Sequence, residues 1–164
     1  MNRRSMLLGG AAVLAGGGAA ISSLMSPGNA AGTFEITRTD AEWRRLLTTA
    51  QYNVLRKQGT ERPGSSPLDH EGRTGVFACA GCDLPVYLSA DKFDSGTGWP
   101  SFTRPIAGAI ATSVDRGWLG ARTEVHCRRC GGHLGHVFND GPKPTGLRYC
   151  MNGVALKFMP TQAS

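Results

Sequence analysis

The stretch from His133 to Asn152, HLGHVFNDGPKPTGLRYCMN, decides how this chain is read. Its two ends, His133 to Phe138 and Leu147 running on to Phe158, have the composition of β-strands, and a Gly/Pro-rich turn separates them. The first strand carries two histidines three positions apart. The second carries one cysteine, Cys150, between Tyr149 and Met151. A lone cysteine with histidines nearby is a candidate nucleophile, because the thiolate is the reactive form and a neighbouring cation stabilises it. The competing reading is a buried cysteine acting as a small apolar residue.

Working outward, the other four of the five cysteines fall into two Cys-x-x-Cys pairs, Cys79/Cys82 and Cys127/Cys130. Each pair reads as a knuckle whose tight turn points two sulfurs at one ion. Gly81, and Gly131 with Gly132, offer the positive-φ freedom such turns need. Together the pairs supply four thiolates, a closed tetrahedral structural zinc site with no position left for substrate. Two disulfides, or a thioredoxin-like redox pair, are the alternatives. His133 follows Cys130 at finger-like spacing, but four sulfurs already fill the shell.

Around these knuckles the pattern is of short strands. Val76 to Ala78, Leu84 to Leu88, Ile106 to Val114 and Leu119 to His126 are further candidates, with a loop from Lys92 to Trp99. Upstream, Trp43, Leu46, Leu47, Ala50 and Leu55 recur at helical spacing. Thr39 or Asp40 caps that helix, with Glu42 in its first turn, and Gly59 ends it. The expected fold is therefore mainly β (α+β), with antiparallel sheets, an N-terminal helical segment and a zinc staple.

The chain of 164 residues begins with Arg3 and Arg4, then an apolar Gly/Ala-rich run to about Leu24 and small residues at Ala30 and Ala31. That is the layout of a twin-arginine signal peptide, residues 1–31, ahead of a single domain at 32–164. An uncleaved membrane anchor is the competing reading, and the run is poor in Leu for a spanning helix. Export to the periplasm by the twin-arginine route is the expectation. Without the leader, 16 basic and 12 acidic residues leave a net +4, spread along the chain. This mild charge speaks for solubility and against a nucleic-acid partner. Any membrane association would come only from an uncleaved leader.

HLGHVFNDGP, LRYCMN, the segment Gly98-Trp99-Pro100-Ser101-Phe102 and the two cysteine pairs, in that joint arrangement, resemble the B-type methionine sulfoxide reductases. The resemblance covers roughly Thr39 to Phe158. It implies an enzyme that reduces the R epimer of methionine sulfoxide in oxidised proteins. It also implies Cys150 as the attacking thiolate and His136 as the principal proton donor, with His133 close by. In an extended strand Asn152 and Arg148 share the face of Cys150. Asn152 would then orient water or substrate, and Arg148 would steady the thiolate beside the substrate. Trp99 would pack against the S-methyl group, and Phe138 would extend that wall. Core packing is the other reading of both aromatics.

One departure stands at Thr97, where many family members carry a resolving cysteine. With four cysteines on zinc, no second free thiol remains, so a thioredoxin-like or glutathione-like reductant is the expected partner. The alternative function is a zinc-stapled β module that binds or chaperones without catalysis.

Overall fold

Two threonines set the starts of the two helices. Thr39 and Thr48 each stand three residues before Glu42 and Gln51, and each forms a reciprocal capping box with it. The computed structural model describes residues 34–117 and 120–161; the leader expected at 1–31 lies outside them. The single helix expected from Thr39 to Gly59 is two helices, α1 (Asp40–Leu46) and α2 (Thr49–Lys57). The second capping box makes the break, because Thr48 satisfies the first donors of α2 only by leaving helical geometry itself. The break turns Leu47 into the core beside Trp43 and leaves Leu46 58 % exposed. Helix α2 closes on Gln58 in a left-handed conformation, and the Gly59 amide donates to the Asn53 carbonyl. Among the described residues no helix is long and apolar enough to cross a membrane.

The strands form two antiparallel sheets. The smaller has β1 (Gly75–Cys79) between β2 (Pro85–Leu88) and β9 (Leu156–Pro160). The larger contains β3 (Lys92–Phe93), β4 (Ser101–Phe102), β5 (Ile110–Gly117), β6 (Gly120–Cys127), β7 (His133–Phe138) and β8 (Arg148–Met151), in the order β3-β4-β8-β7-β6-β5. The mainly β, antiparallel class expected from the strand pattern is the one observed. Aromatic rings join the sheets: Tyr87 of β2 stacks on Phe102 of β4 at 4.3 Å, and Phe77 of β1 meets Phe102 edge-on at 5.0 Å. All three are fully buried, and such pairs add about 0.5–1.5 kcal/mol beyond their burial.

Two strand expectations need correcting. The run from Ile106 begins as a turn, and pairing starts only at Ile110 and reaches Gly117. The run from Leu147 to Phe158 is two strands in different sheets, β8 and β9, separated by a 3-10 turn at Gly153–Ala155. The Glu61 carboxylate accepts the amide protons of Gly153 and Val154, which draws the chain out of β8. Only glycine fits there, since a Cβ on Gly153 would lie 2.1 Å from Ser66 Oγ.

Candidate active site and metal centre

Across the larger sheet, one transverse row of paired residues reads Ser101, Cys150, His136, Glu124, Ser113. Directly paired residues of an antiparallel sheet share a face. The register therefore sets the candidate nucleophile between a hydroxyl and an imidazole. His133 joins the same face for a less regular reason. Three positions along a regular strand would turn it away from His136. Opposite the single step from Val125 to His126, however, β7 takes two, so Leu134 is an extra, bulged residue. The bulge restores the parity, and the two imidazoles meet edge-on at 5.2 Å. Gly135 allows the strands this approach: a Cβ there would stand 2.1 Å from the Cys150 carbonyl oxygen.

A cavity of about 120 Å³ opens over this face. Cys150 and His136 line it with Trp99, Phe138 and Asn152, all expected at the site, and with Thr60 and Arg122, which were not. The Trp99 indole is fixed by donating to the Glu61 carbonyl at 3.2 Å. Asn152 differs from the sequence reading. Strand β8 ends before it, and its amide accepts from the Glu61 N–H at 3.0 Å and donates to the Leu134 carbonyl at 3.1 Å. It braces three segments at the wall of the cavity. Arg148 stacks over Phe138 at 4.6 Å and grips Asp140 through two bonds of 2.9 and 2.8 Å. It lies beside Cys150 but does not line the cavity.

The electrostatics are set by these partners. Burial pushes the Cys150 thiol up from its ordinary value; the Arg148 cation, then the hydroxyls of Thr97 and Ser101, draw it back. Thr97 Oγ1 stands 4.0 Å from Cys150 Sγ, and Ser95 links Thr97 to Ser101 with hydroxyl contacts of 2.8 Å each. Burial lowers the His136 pKa, and the Asp115 carboxylate, 2.8 Å from Nε2, opposes this. An ionised Asp115 requires the proton on Nε2, leaving Nδ1 as the nitrogen that takes and gives a proton. Asp115 is in turn bonded to Arg122 at 2.7 Å. His133 donates from Nδ1 to Glu124 at 2.8 Å, and that bond is the main reason the Glu124 carboxyl is held down to about 2. Among the described residues the other nitrogen of His133, also buried, has no hydrogen-bond partner.

The metal centre is of a different kind. Cys79 ends β1 and Cys127 ends β6, so the two knuckles belong to different sheets. In each, the residue four places after the first cysteine takes the left-handed conformation and donates its amide to that cysteine's carbonyl: Asp83 in one, Gly131 in the other. The freedom expected of Gly81 is thus exercised by Asp83. The sulfurs of Cys79 and Cys130 are 3.7 Å apart and those of Cys82 and Cys127 3.5 Å, and all four lie within 4.8 Å of one another. No cysteine is joined to another. A tetrahedral ion bonded to sulfur at about 2.3 Å needs edges of about 3.8 Å, so one metal ion fits the set.

A lone half-buried thiol, paired across the strands with a carboxylate-held histidine at a small aromatic cavity, and four further cysteines placed to hold one metal ion, define a thiol-dependent oxidoreductase with a metal site. The family model described as "SelR domain" matches residues 47–160. The peptide methionine sulfoxide reductase MsrB of Agrobacterium fabrum is 48 % identical over 141 residues, 85 % of this chain and 99 % of that protein. Those of Pseudomonas entomophila and Methanosarcina barkeri are 53 % and 48 % identical, over 77 % and 75 % of this chain and 97 % and 87 % of their own lengths. The chain belongs to this family, the B-type methionine sulfoxide reductases.

Thr60, Glu61, Asp115, Arg122 and Glu124 are the site residues that sequence reasoning missed. For Asp115 and Arg122 a signal existed, since Asp115 directly follows one predicted strand and Arg122 lies on the next, and opposite charges so placed invite cross-strand pairing.

Proposed function

We propose that this enzyme reduces the R epimer of methionine sulfoxide in oxidised proteins to methionine, using Cys150 as nucleophile. The observation that carries the reading is the pairing of Cys150 with His136 at the base of a cavity walled by Trp99 and Phe138. Membership of a family whose named members are peptide methionine sulfoxide reductases supports it. The sulfoxide sulfur is electrophilic, but its oxygen leaves only once protonated. Cys150 Sγ attacks that sulfur while His136, with His133 behind it, delivers the proton. The oxygen passes to the cysteine as a sulfenic acid, and methionine leaves. Arg148 and the hydroxyls of Thr97 and Ser101 favour the attacking thiolate. Trp99 and Phe138 take the S-methyl group and so select between epimers.

The sulfenic acid is then attacked by an external thiol, releasing water and forming a mixed disulfide that a second thiol resolves. Thr97, at the resolving position, has no thiol to offer. Substituting Thr97→Cys brings a sulfur within reach of Cys150, and one turnover without reductant should then yield an internal disulfide by mass spectrometry; the native chain should yield only sulfenic acid or its adducts. Zinc is the ion we assign to Cys79, Cys82, Cys127 and Cys130, since four thiolates form a closed site for a structural ion. We further assign residues 1–31 to a twin-arginine leader, which places the reductase at 32–164 in the periplasm. Replacing Arg3 and Arg4 with lysine should hold the full-length protein in the cytoplasmic fraction. The decisive test of activity is reduction of the two separated sulfoxide epimers with a small dithiol. Turnover of the R epimer alone is expected, and turnover of the S epimer alone, or of neither, ends the assignment.

A further inference from the structure

The catalytic cavity has room for little more than one side chain. Beside it lies a larger cleft of about 520 Å³, between α2 and the loop from Gly59 to Pro67. Its volume is in the range of about 300–1,000 Å³ usual for ligand sites, and no step of the reaction above uses it. Its walls are apolar at Ala50, Val54, Pro67 and Val154, with the polar groups of Asn53 and Ser65 among them. Val54 is buried; Asn53 and Ser65 are exposed and free to meet a ligand.

The cleft is continuous with the active site through two consecutive residues. Thr60, which is exposed, lines both cavities. Glu61 lines the cleft, and its backbone holds the two walls of the catalytic cavity: its carbonyl accepts from Trp99 and its amide donates to Asn152. Its carboxylate meanwhile caps the turn that carries Val154 into the cleft. One short segment therefore builds both surfaces and fixes their spacing.

We propose that this cleft is a subsite for the polypeptide that carries the methionine sulfoxide, taking the apolar side chain of a residue flanking it. The inference rests on the reductase reading and adds a sequence preference to it. Thr60, exposed and shared by both cavities, offers a way out for the chain of a methionine sulfoxide seated over Cys150. An extended chain advances about 3.3 Å per residue, so its neighbours reach the adjoining cleft. There Ala50, Val54 and Val154 accept an apolar side chain, while Asn53 and Ser65 pair with main-chain amides that would otherwise lose water unpaired.

The test compares three substrates carrying the R sulfoxide: a capped single residue, a peptide with leucine on both sides of it, and the same peptide with glycine instead. The native enzyme should favour the leucine peptide over the glycine peptide by about tenfold in kcat/KM, the effect of burying one apolar side chain. Ala50→Trp, which fills the cleft from an exposed helix position, should erase that preference and leave the capped residue unaffected. Asn53→Ala, a milder change, should lower both peptides together and again spare the capped residue. Equal rates for the two peptides with native enzyme, or variants that slow all three substrates in parallel, would overturn the subsite. Failure of the native enzyme on all three would remove the reductase reading and the subsite with it.

Discussion

Five cysteines occupy two environments that differ in nearly every physical respect. At the metal centre, four sulfurs from two turns face one another, and each knuckle is shaped by its own local hydrogen bonds. At the cavity, a single sulfur stands on a strand, and its surroundings come from Thr97, from Ser101 of β4, from His136 of β7 and from its strand neighbour Arg148, which Asp140 holds. The first site can be built from short pieces of chain and needs only to be closed. The second has no local definition and exists only when the sheet is complete. The proposed staple and the proposed nucleophile are thus separated by how many independent parts of the fold each requires.

Substitutions should keep these two environments apart. The largest effect is expected from Cys127→Ser, since the binding energy of a structural zinc, about 10–16 kcal/mol in small zinc domains, is also folding energy. Loss of the ion by metal analysis and a fall in Tm of more than about 10 °C are expected; a metal-free variant with native Tm would show that the cluster is not a staple. Cys150→Ser should do the reverse. Activity falls by about 10³-fold or more, because an alcohol is a far weaker nucleophile, while zinc content and Tm stay native. Activity within tenfold of native would remove Cys150 from the chemistry.

The pH profile probes the reactive site more finely. The productive form needs Cys150 deprotonated and His136 protonated, yet burial lifts the thiol above its ordinary value and lowers the imidazole below its own. That form is therefore a minor species, constant in fraction between the two values and falling outside them. Plots of kcat/KM should show a plateau, with an acid limb from His136 and an alkaline limb from Cys150. Removing the cation in Arg148→Leu raises the thiol further, moving the alkaline limb to higher pH and lowering the plateau by about tenfold per pKa unit. Asp115→Asn withdraws the group that raises His136, so the acid limb moves to lower pH. Arg122 and His133, which also face His136, remain in place in both variants. Limbs that stay fixed in both would dissociate these partners from the reacting pair.

The same contrast explains what could be read from the sequence. The metal ligands were legible because their spacing alone makes the turns. Cys150, His136 and Trp99 were legible through family resemblance and chemistry. The company of His133 was expected, but its cause was not derivable, since it depends on a bulge at Leu134 that only the partner strand reveals. The bracing of Asn152 was equally hidden: its partner Glu61 lies 91 positions away. The break between α1 and α2 could have been read, because Thr48 and Gln51 repeat the pattern of Thr39 and Glu42.

The switch of sheets at Gly153 bears on the order in which the molecule assembles. Strand β9, the last in the described chain, pairs with β1, so residues 75–79 wait for residues 156–160 before the smaller sheet has its third strand. Contacts so far apart in sequence form late, because the closure entropy of the long loop must first be met. The turn pinned by Glu61 lies between β8 and β9, and it too becomes fixed only as the C-terminus docks. During synthesis the four-cysteine cluster can therefore form while Cys150 still lacks its finished pocket, and the proposed nucleophile gains its surrounding groups only near the end of folding.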